Sequence, residues 1–285
     1  MSSQPLLIDA SFIGHRARFA LGDLSSEDKR TGVIFGFLDQ IRKIGVDNTT
    51  NKLIFCWDSR ESLRKKISPE YKNKRHKNLT EEEQIELKLA YQQFDLLRTE
   101  VLPEIGFTNQ FIQEGYEADD VIASLVKKHS KEYLIVSSDQ DLFQLLDDAN
   151  MYNVITKKTM TAKRFYEVYG IVPEQWPWIK ATSGCKSDNV VGISGVGEKT
   201  AIKFLNNQLK SHVQSFKKIM EQKDEMLEQN MPLVKLPFRG TKIFKVHPDN
   251  LSFERFTRVC HKYEFMSFLN GNDNDNWRVF LNFRG

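Results

Sequence analysis

Short apolar runs rich in β-forming residues alternate with helical stretches along the first half of the chain. Four runs are predicted to be strands, at residues 5–8, 52–57, 107–112 and 133–136. Between these strands, residues 31–44 and 80–105 carry apolar side chains at the period of a helix. Thr80 and Glu83 form a capping-box pattern at the start of the second of these helices. Because helical connections join parallel strands, we expect an α/β fold with a mainly parallel central sheet and helices on both faces.

Acidic residues follow these runs, where the carboxyl ends of the predicted strands meet and where ligands of such sheets collect. They are Asp9, Asp58, Glu117, Asp119, Asp120, Asp139 and Asp141. Any single aspartate there has an ordinary alternative role as a helix cap. Seven carboxylates together would repel one another and lose hydration, so the whole set predicts divalent cations. Oxygen ligands favour hard ions, Mg²⁺ or Mn²⁺.

The sequence offers no Ser/His/Asp or Cys/His pair that stands out as a nucleophile, which leaves water as the predicted nucleophile. Two metal ions about 4 Å apart activate water, hold a scissile phosphate and stabilise the leaving oxygen. The acidic set therefore predicts phosphodiester hydrolysis.

Basic residues concentrate between the second predicted strand and the helix at residue 80. The chain has 41 Lys/Arg against 38 Asp/Glu, but residues 59–78 hold eight Lys/Arg and two Glu. A solvated loop is the alternative interpretation of such a charge run. Beside a metal-binding rim, the segment predicts a polyanionic substrate.

Glycines punctuate residues 187–205, SDNVVGISGVGEKTAIKFL, before a predicted helix near Glu198 or Lys199. Glycines and free amides at a helix start allow close approach to phosphate, and the spacing is not that of a nucleotide-binding Walker A loop. A plain helix-start turn is the alternative. The segment predicts a grip on the DNA backbone without sequence specificity.

The strand signal fades after about residue 160. We expect an α/β domain over residues 1–180 and a helical subdomain over 181–285, and no structure is assigned to residues 270–285. Without a long apolar run or a secretory signal, we expect no membrane partner and a cytoplasmic protein. Three cysteines without CxxC spacing argue against a disulfide framework and a zinc cluster.

Five segments together resemble the 5′-nuclease family, which includes the 5′-3′ exonuclease domain of bacterial DNA polymerase I and stand-alone bacteriophage flap endonucleases. The segments are LLIDASFIGHRARF, FCWDSRESLRKKISPEYKNKR, GYEADDVIASL, VSSDQDLFQLL and SDNVVGISGVGEKTA. The match as a whole spans roughly residues 5–270, and its segments follow the family order. The resemblance implies a PIN-like nuclease fold in the stand-alone form, with a basic arch at about residues 59–100 and a helix–hairpin–helix at about 187–205.

The resemblance also implies roles for individual residues. Metal-site positions of the family, direct or through water, match Asp9, Asp58, Glu117, Asp119, Asp120, Asp139, Asp141 and Asp188. Positions that contact the scissile phosphate match Arg16, Lys72 and Arg75, and arch positions match Arg64 and Tyr71. The DNA-holding hairpin matches Gly195, Gly197, Lys199 and Thr200, with Ile193 and Val196 as backbone ligands of K⁺.

One position departs from the family pattern Gly-Asp-x-x-Asp-Asn. Here Cys185 stands where a carboxylate of the second metal is expected, and Asp188 remains. A thiol is a poor partner for Mg²⁺, so we expect an active nuclease whose second metal site is weaker.

The leading hypothesis is a monomeric 5′-3′ exonuclease or flap endonuclease that uses two Mg²⁺ or Mn²⁺ ions. Its expected partner is DNA with a 5′ flap or a free 5′ end, and activity would depend on salt more than on sequence. Two alternatives stay open. One is a DNA-binding protein without catalysis, and the other is a ribonuclease of the same family that acts on RNA–DNA hybrids.

Overall fold

A six-stranded sheet forms the centre of the protein in the computed structural model, which describes residues 3–22, 25–26, 29–74, 77 and 79–283. The strands are β1 (Leu6–Asp9), β2 (Ser25–Ser26), β3 (Lys29–Arg30), β4 (Leu53–Trp57), β5 (Gln110–Ile112), β6 (Leu134–Val136), β7 (Asn150–Asn153), β8 (Lys158–Met160), β9 (Gly184–Cys185) and β10 (Val190–Val191). The sheet order is β5-β4-β1-β6-β7-β8, and β8 alone among these six is antiparallel to its neighbour. The predicted mainly parallel α/β sheet is confirmed.

Twelve α-helices are described. They are α1 (Ala10–Leu21), α2 (Gly32–Asp47), α3 (Arg64–Ile67), α4 (Glu81–Leu96), α5 (Leu102–Ile105), α6 (Ala118–Lys128), α7 (Ala162–Tyr169), α8 (Trp176–Ser183), α9 (Glu198–Leu205), α10 (Gln214–Val234), α11 (Phe253–Lys262) and α12 (Gly271–Leu281). A π-helical turn, Leu97–Val101, joins α4 to α5, and 3₁₀ turns cover Gln140–Leu145, Pro173–Gln175 and Met266–Leu269. Among the described residues, no helix is long and apolar enough to cross a membrane.

The buried strands supply both faces of the sheet, because successive side chains of a strand point to opposite sides. In β1, Leu6 and Ile8 join one apolar core while Leu7 joins the other. The first core packs α1, α2, α11 and α12 against the sheet, and the second packs α6, α8 and α9 against the opposite face. Helices therefore cover both faces, as predicted.

Local capping explains where the main helices begin. Thr80 accepts a hydrogen bond from the Glu83 amide at 3.2 Å, and Glu83 Oε2 accepts from the Thr80 amide at 2.7 Å, which confirms the predicted capping box. Asp9 Oδ1 accepts from the Phe12 amide at 3.0 Å and caps α1.

The C-terminal third returns to the sheet. Trp277 and Phe280 of α12 are fully buried in the first core, in the segment to which the sequence assigned no structure. Both cores draw residues from either side of residue 180. The boundary between residues 1–180 and 181–285 stays a prediction, with packing continuous across it.

Candidate active site

The carboxyl edge of the sheet brings Asp9 beside the chain that follows β6. Ile8 pairs with Val136, so Ser137 lies next to Asp9 and its hydroxyl donates to Asp9 Oδ2 at 2.9 Å. The same hydroxyl accepts from the Asp139 amide at 3.1 Å. Strand register and one serine therefore fix Asp9 relative to Asp139.

Four of the predicted acids form what we call the first carboxylate group: Asp9, Asp58, Asp119 and Asp139. Burial and then the charge of Asp58 raise the pKa of Asp9 to about 7. Burial, with the charges of Asp139 and Asp9, raises the pKa of Asp119 well above its ordinary value. The Ala118 amide holds Asp58 Oδ1 at 2.8 Å. The acids lie close enough for their charges to oppose one another.

Asp141, Cys185 and Asp188 form a second cluster, with one potential ligand atom from each within 4.8 Å of the others. Among the described residues, this is the group of three or more His, Cys, Asp or Glu side chains whose potential ligand atoms all lie within that distance of one another. Burial and then Asp139 raise the pKa of Asp141 to about 6, although Lys180 Nζ lies 3.2 Å from its Oδ1.

The donors of both clusters fit divalent cations. Oxygen atoms make up the first group, and hard ions such as Mg²⁺ and Mn²⁺ select such ligands. The buried hydroxyl of Ser138 has no hydrogen-bond partner within the described residues. Ser138 lines a cavity of about 310 Å³ together with Asp139, Asp141 and Cys185. A polar cavity between two carboxylate clusters is suited to hydrated ions.

Glu117 acts electrostatically on Asp58 of the first group and accepts hydrogen bonds from basic and hydroxyl donors. Its Oε2 accepts from Lys72 Nζ at 2.7 Å and from the Tyr71 hydroxyl at 3.2 Å. Burial would raise the pKa of Glu117, but Lys72 and Arg64 outweigh it and hold that pKa below the ordinary value. Glu117 is therefore an ionised carboxylate that positions Lys72.

Asp120 was predicted as a metal ligand, and Arg64 as a DNA contact of the arch. In the structure the two side chains bind each other in the interior, with 0% and 1% exposed surface, and both roles stay predictions. Both Asp120 oxygens accept from Arg64, and each accepts from a backbone amide as well, that of Glu117 or Phe238. Tyr71, also predicted to contact DNA, is 3% exposed and faces Glu117.

The predicted phosphate contacts lie at the rim of this site. Arg16 is partly exposed on α1, with its guanidinium 6.0 Å from the ring centre of Phe12, which lines the cavity. Its Nε donates to Gln40 at 3.0 Å. The Lys72 amide donates to the Asp188 carbonyl at 2.8 Å, which ties the basic segment to the second cluster. The prediction for Arg75 falls outside the described residues.

The predicted hairpin follows α8 as the β9–β10 ladder and leads into α9. Gly195 and Gly197 are exposed, as is Lys199, whereas Ile193 and Val196 are buried in the second core. Gly195 has φ +83°, a left-handed conformation that favours glycine. The hairpin thus presents glycine backbone to solvent and anchors itself through apolar side chains. Thr200, in the first turn of α9, is partly exposed.

Sequence reasoning missed three residues that organise the site: Ser11, Ser137 and Lys180. Ser11 Oγ accepts from the Asp58 amide at 2.8 Å. Lys180, 8% exposed on α8, lies between Asp141 and Glu198 at 3.2 and 3.1 Å. The position of Ser137 beside an acid-rich strand end was a usable signal, whereas Lys180 has the sequence surroundings of an ordinary helix residue.

Comparison with known proteins gives consistent similarities. A family model described as the 5′-3′ exonuclease, N-terminal resolvase-like domain, matches residues 4–170. A 5′-3′ exonuclease of Buchnera aphidicola subsp. Schizaphis graminum is 31% identical over 246 residues, which cover 83% of this chain and 77% of that protein. DNA polymerase I of Bacillus subtilis is 34% identical over 233 residues, 78% of this chain and 24% of the polymerase. The chain therefore spans about a quarter of that polymerase.

Among solved structures, the 5′-exonuclease of T5 with bound zinc superposes with a TM-score of 0.69. The match covers 82% of this chain and 89% of that chain at 22% identity. At 22% identity, this structural similarity shows a shared fold. These comparisons agree with the resemblance found in the sequence.

Proposed function

The chain belongs to the 5′-3′ exonuclease family, and from that membership we propose that it is a structure-specific, metal-dependent 5′ nuclease. It hydrolyses phosphodiester bonds near the junction between duplex DNA and a single-stranded 5′ end. Its substrates are DNA with a 5′ flap or a free 5′ end, and it acts as a monomer.

The observation that carries this proposal is the crowding of the first carboxylate group. Asp9 is 7% exposed, yet Asp58 and Asp139 both act on it electrostatically. Like charges crowded around a buried carboxylate destabilise its ionised form unless a cation neutralises them. Asp9, Asp58, Asp119 and Asp139 would hold one ion, Mg²⁺ or Mn²⁺. Asp141 and Asp188 would hold a second divalent ion. Bound there, divalent ions supply an activated water and charge stabilisation for the scissile phosphate.

The chain's own cations orient the phosphate. Lys72 Nζ donates to Glu117, and its charge acts on Asp58 and Asp119, so the ammonium is fixed beside the first carboxylate group. Arg16 lies over Phe12 at the cavity wall. Each positive charge stabilises the negative charge that develops on the phosphate oxygens during hydrolysis. Arg75 is proposed to act with them on sequence resemblance.

The exposed hairpin holds the duplex. Its backbone amides, one ammonium and one hydroxyl bind phosphates without contacting base edges. These groups belong to Gly195, Gly197, Lys199 and Thr200. K⁺ is proposed to bind backbone carbonyls there, those of Ile193 and Val196, next to a Ser194 carbonyl that accepts from Lys218 Nζ at 3.0 Å. The exposed Lys65, Lys66 and Lys74 attract the single-stranded arm.

An end-labelled duplex with a 5′ flap, incubated with Mg²⁺, tests the proposal. The wild type is expected to release a labelled product whose size distinguishes cutting at the junction from stepwise digestion. Asp119→Asn, which removes one charge from the first group without changing its shape, should lower the rate about a hundredfold or more. Lys128→Ala, at the exposed end of the same helix, is the matched control and should cleave normally.

Binding measured on the same substrate separates the alternatives. Wild-type protein that binds the flap duplex and releases no product with Mg²⁺ or Mn²⁺ would favour a DNA-binding protein without catalysis. A flap strand with an RNA segment, cleaved in preference to DNA, would favour a ribonuclease. Normal cleavage by Asp119→Asn would remove the first carboxylate group from the mechanism.

A further inference from the structure

The second cluster contains a sulfur atom among carboxylates. Potential ligand atoms of Asp141, Cys185 and Asp188 all lie within 4.8 Å of one another. Cys185 is partly exposed, and it lines the cavity that Asp139 and Asp141 also line. Cys56 and Cys260, by contrast, have no exposed surface. The thiol that meets two carboxylates is therefore also the one that a dissolved ion can reach.

The backbone fixes the spacing of these side chains. Cys185 pairs with Val190 in the β9–β10 ladder, so the turn between the two strands carries Asp188 back towards Cys185. The Asp188 carbonyl accepts from the Lys72 amide at 2.8 Å, which holds the turn against the basic segment. Asp141 comes from the 3₁₀ turn Gln140–Leu145, a separate part of the chain. Three ligand atoms thus converge from two ordered segments before any ion binds.

We propose that Asp141, Cys185 and Asp188 bind a divalent ion through two carboxylates and a thiolate, and that this position prefers sulfur-accepting ions such as Zn²⁺ or Co²⁺ to Mg²⁺. The proposal deepens the proposed nuclease function, on which it rests for taking this position as one of two metal sites. It changes the expectation that Cys185 weakens the site: the cysteine weakens it for Mg²⁺ and selects another class of ion.

Ligand chemistry gives the preference its direction. Mg²⁺ requires oxygen ligands in near-octahedral geometry, and a sulfur atom supplies neither the charge density nor the geometry it needs. Zn²⁺ accepts sulfur and carboxylate oxygen together, and in catalytic sites it takes three protein ligands and leaves one position for water. When the ion binds, the Cys185 S–H bond breaks, its proton passes to solvent, and the sulfur lone pair forms the new bond to the metal. No oxidation or reduction is involved.

Absorption spectroscopy with Co²⁺ tests the assignment without reference to cleavage. A Co²⁺ ion bound by thiolate gives a sulfur-to-cobalt charge-transfer band in the near ultraviolet, whereas Co²⁺ bound by carboxylates and water gives none. Titrating reduced, metal-free wild-type protein with Co²⁺ should produce this band. Cys185→Ser should abolish it, and Cys260→Ala, which removes a buried thiol, should keep it. A wild-type titration without the band, or a band that persists in Cys185→Ser, would overturn the proposal.

Calorimetric titrations with Zn²⁺ and with Mg²⁺ measure the preference itself. Cys185→Asp should weaken Zn²⁺ binding and strengthen Mg²⁺ binding, each by about tenfold or more. Equal affinities of wild type and Cys185→Asp for both ions would contradict the proposal. The flap assay separates the metal preference from the nuclease function. A wild type that cleaves the flap but shows no cobalt band refutes only the metal preference. A wild type that shows the band but does not cleave with any ion refutes only the nuclease function.

Discussion

Arg64 and Asp120 form a two-point ion pair inside the protein, with Nη1–Oδ2 and Nη2–Oδ1 distances of 2.6 and 2.8 Å. Arg64 Nε also donates to the Leu233 carbonyl at 2.9 Å, and the Phe238 amide donates to Asp120 Oδ1 at 2.8 Å. The pair therefore joins three parts of the chain: α3 of the basic segment, α6 with its acids, and the end of α10 with the segment that follows it.

Removing one partner of this pair should destabilise the whole fold. Arg64→Ala leaves Asp120 buried without its counter-charge, so we expect the free energy of unfolding to fall by about 3–5 kcal/mol. Arg64→Lys keeps the charge but loses the two-point geometry, and it should lie between Arg64→Ala and the wild type. Urea unfolding monitored by circular dichroism gives these values.

Lys65→Ala is the matched control for that experiment, because Lys65 is exposed on the same short helix. Its stability should stay within about 0.5 kcal/mol of the wild type. Arg64→Ala as stable as Lys65→Ala would mean that the ion pair contributes nothing to the fold.

The metal-free protein should lose stability as pH rises. The pKa of Asp9 is about 7 in the folded state against an ordinary 3.8, so the folded state binds more protons than the unfolded chain between these values. The free energy of unfolding therefore decreases with rising pH across that window and levels off above it. Asp141, whose pKa is raised to about 6, acts in the same direction.

Urea unfolding in a chelator at about pH 5 and about pH 8 measures this slope. Asp9→Asn, which cannot ionise, should show a smaller difference between the two pH values than the wild type. Mg²⁺ added at the higher pH should restore wild-type stability, since a ligand that binds the folded state stabilises it. A wild type that gains stability between these pH values without metal would contradict the crowding of the first carboxylate group.

The sequence predicted the sheet well because its central strands are buried on both faces. LLID and LIFCW are continuous apolar runs that end in or before an acid, and both patterns survive in the structure as β1 and β4. The strands β7 and β8 were missed, because NMYN and KTM are short and mix polar with apolar residues. The helix α12 begins GNDNDN, a polar sequence that gives no sign of the buried Trp277 and Phe280.

The acidic residues of the site were predicted as a set, but their division into different roles was not. Asp119 and Asp120 are neighbours in sequence, yet Asp119 faces the first carboxylate group and Asp120 faces Arg64. Helical geometry points adjacent residues in different directions, and only the packing of Arg64 against α6 decides which acid is neutralised by the protein itself. Arg64 and Asp120 are 56 positions apart, so the local sequence around either residue gives no sign that they form an ion pair.

Lys180 should set the pH at which Asp141 is ionised. Its ammonium lowers the pKa of Asp141 against the larger effects of burial and Asp139. Lys180→Met removes that charge, so the pKa of Asp141 rises and the acid limb of the cleavage profile should move to higher pH. The measurement is kcat/KM against pH for flap cleavage, with the exposed Lys128→Met as control. A lower rate at all pH values with an unmoved acid limb would mean that Lys180 acts only by supporting the fold.

Two glycines of the hairpin should separate DNA binding from folding. Gly197 precedes α9 at φ −97°, and no atom lies within 4 Å of the position that a β-carbon would take there, so Gly197→Ser has room and supplies a favourable helix cap. Its stability should equal or exceed that of the wild type. If phosphate approaches the backbone there, the new side chain should weaken binding to duplex DNA about tenfold. Gly192→Ala gives the opposite contrast, since its β-carbon would overlap the Ser183 backbone and destabilise the hairpin itself. Thermal unfolding and fluorescence anisotropy with a labelled duplex measure both effects, and unchanged affinity in Gly197→Ser would move the duplex contact away from this turn.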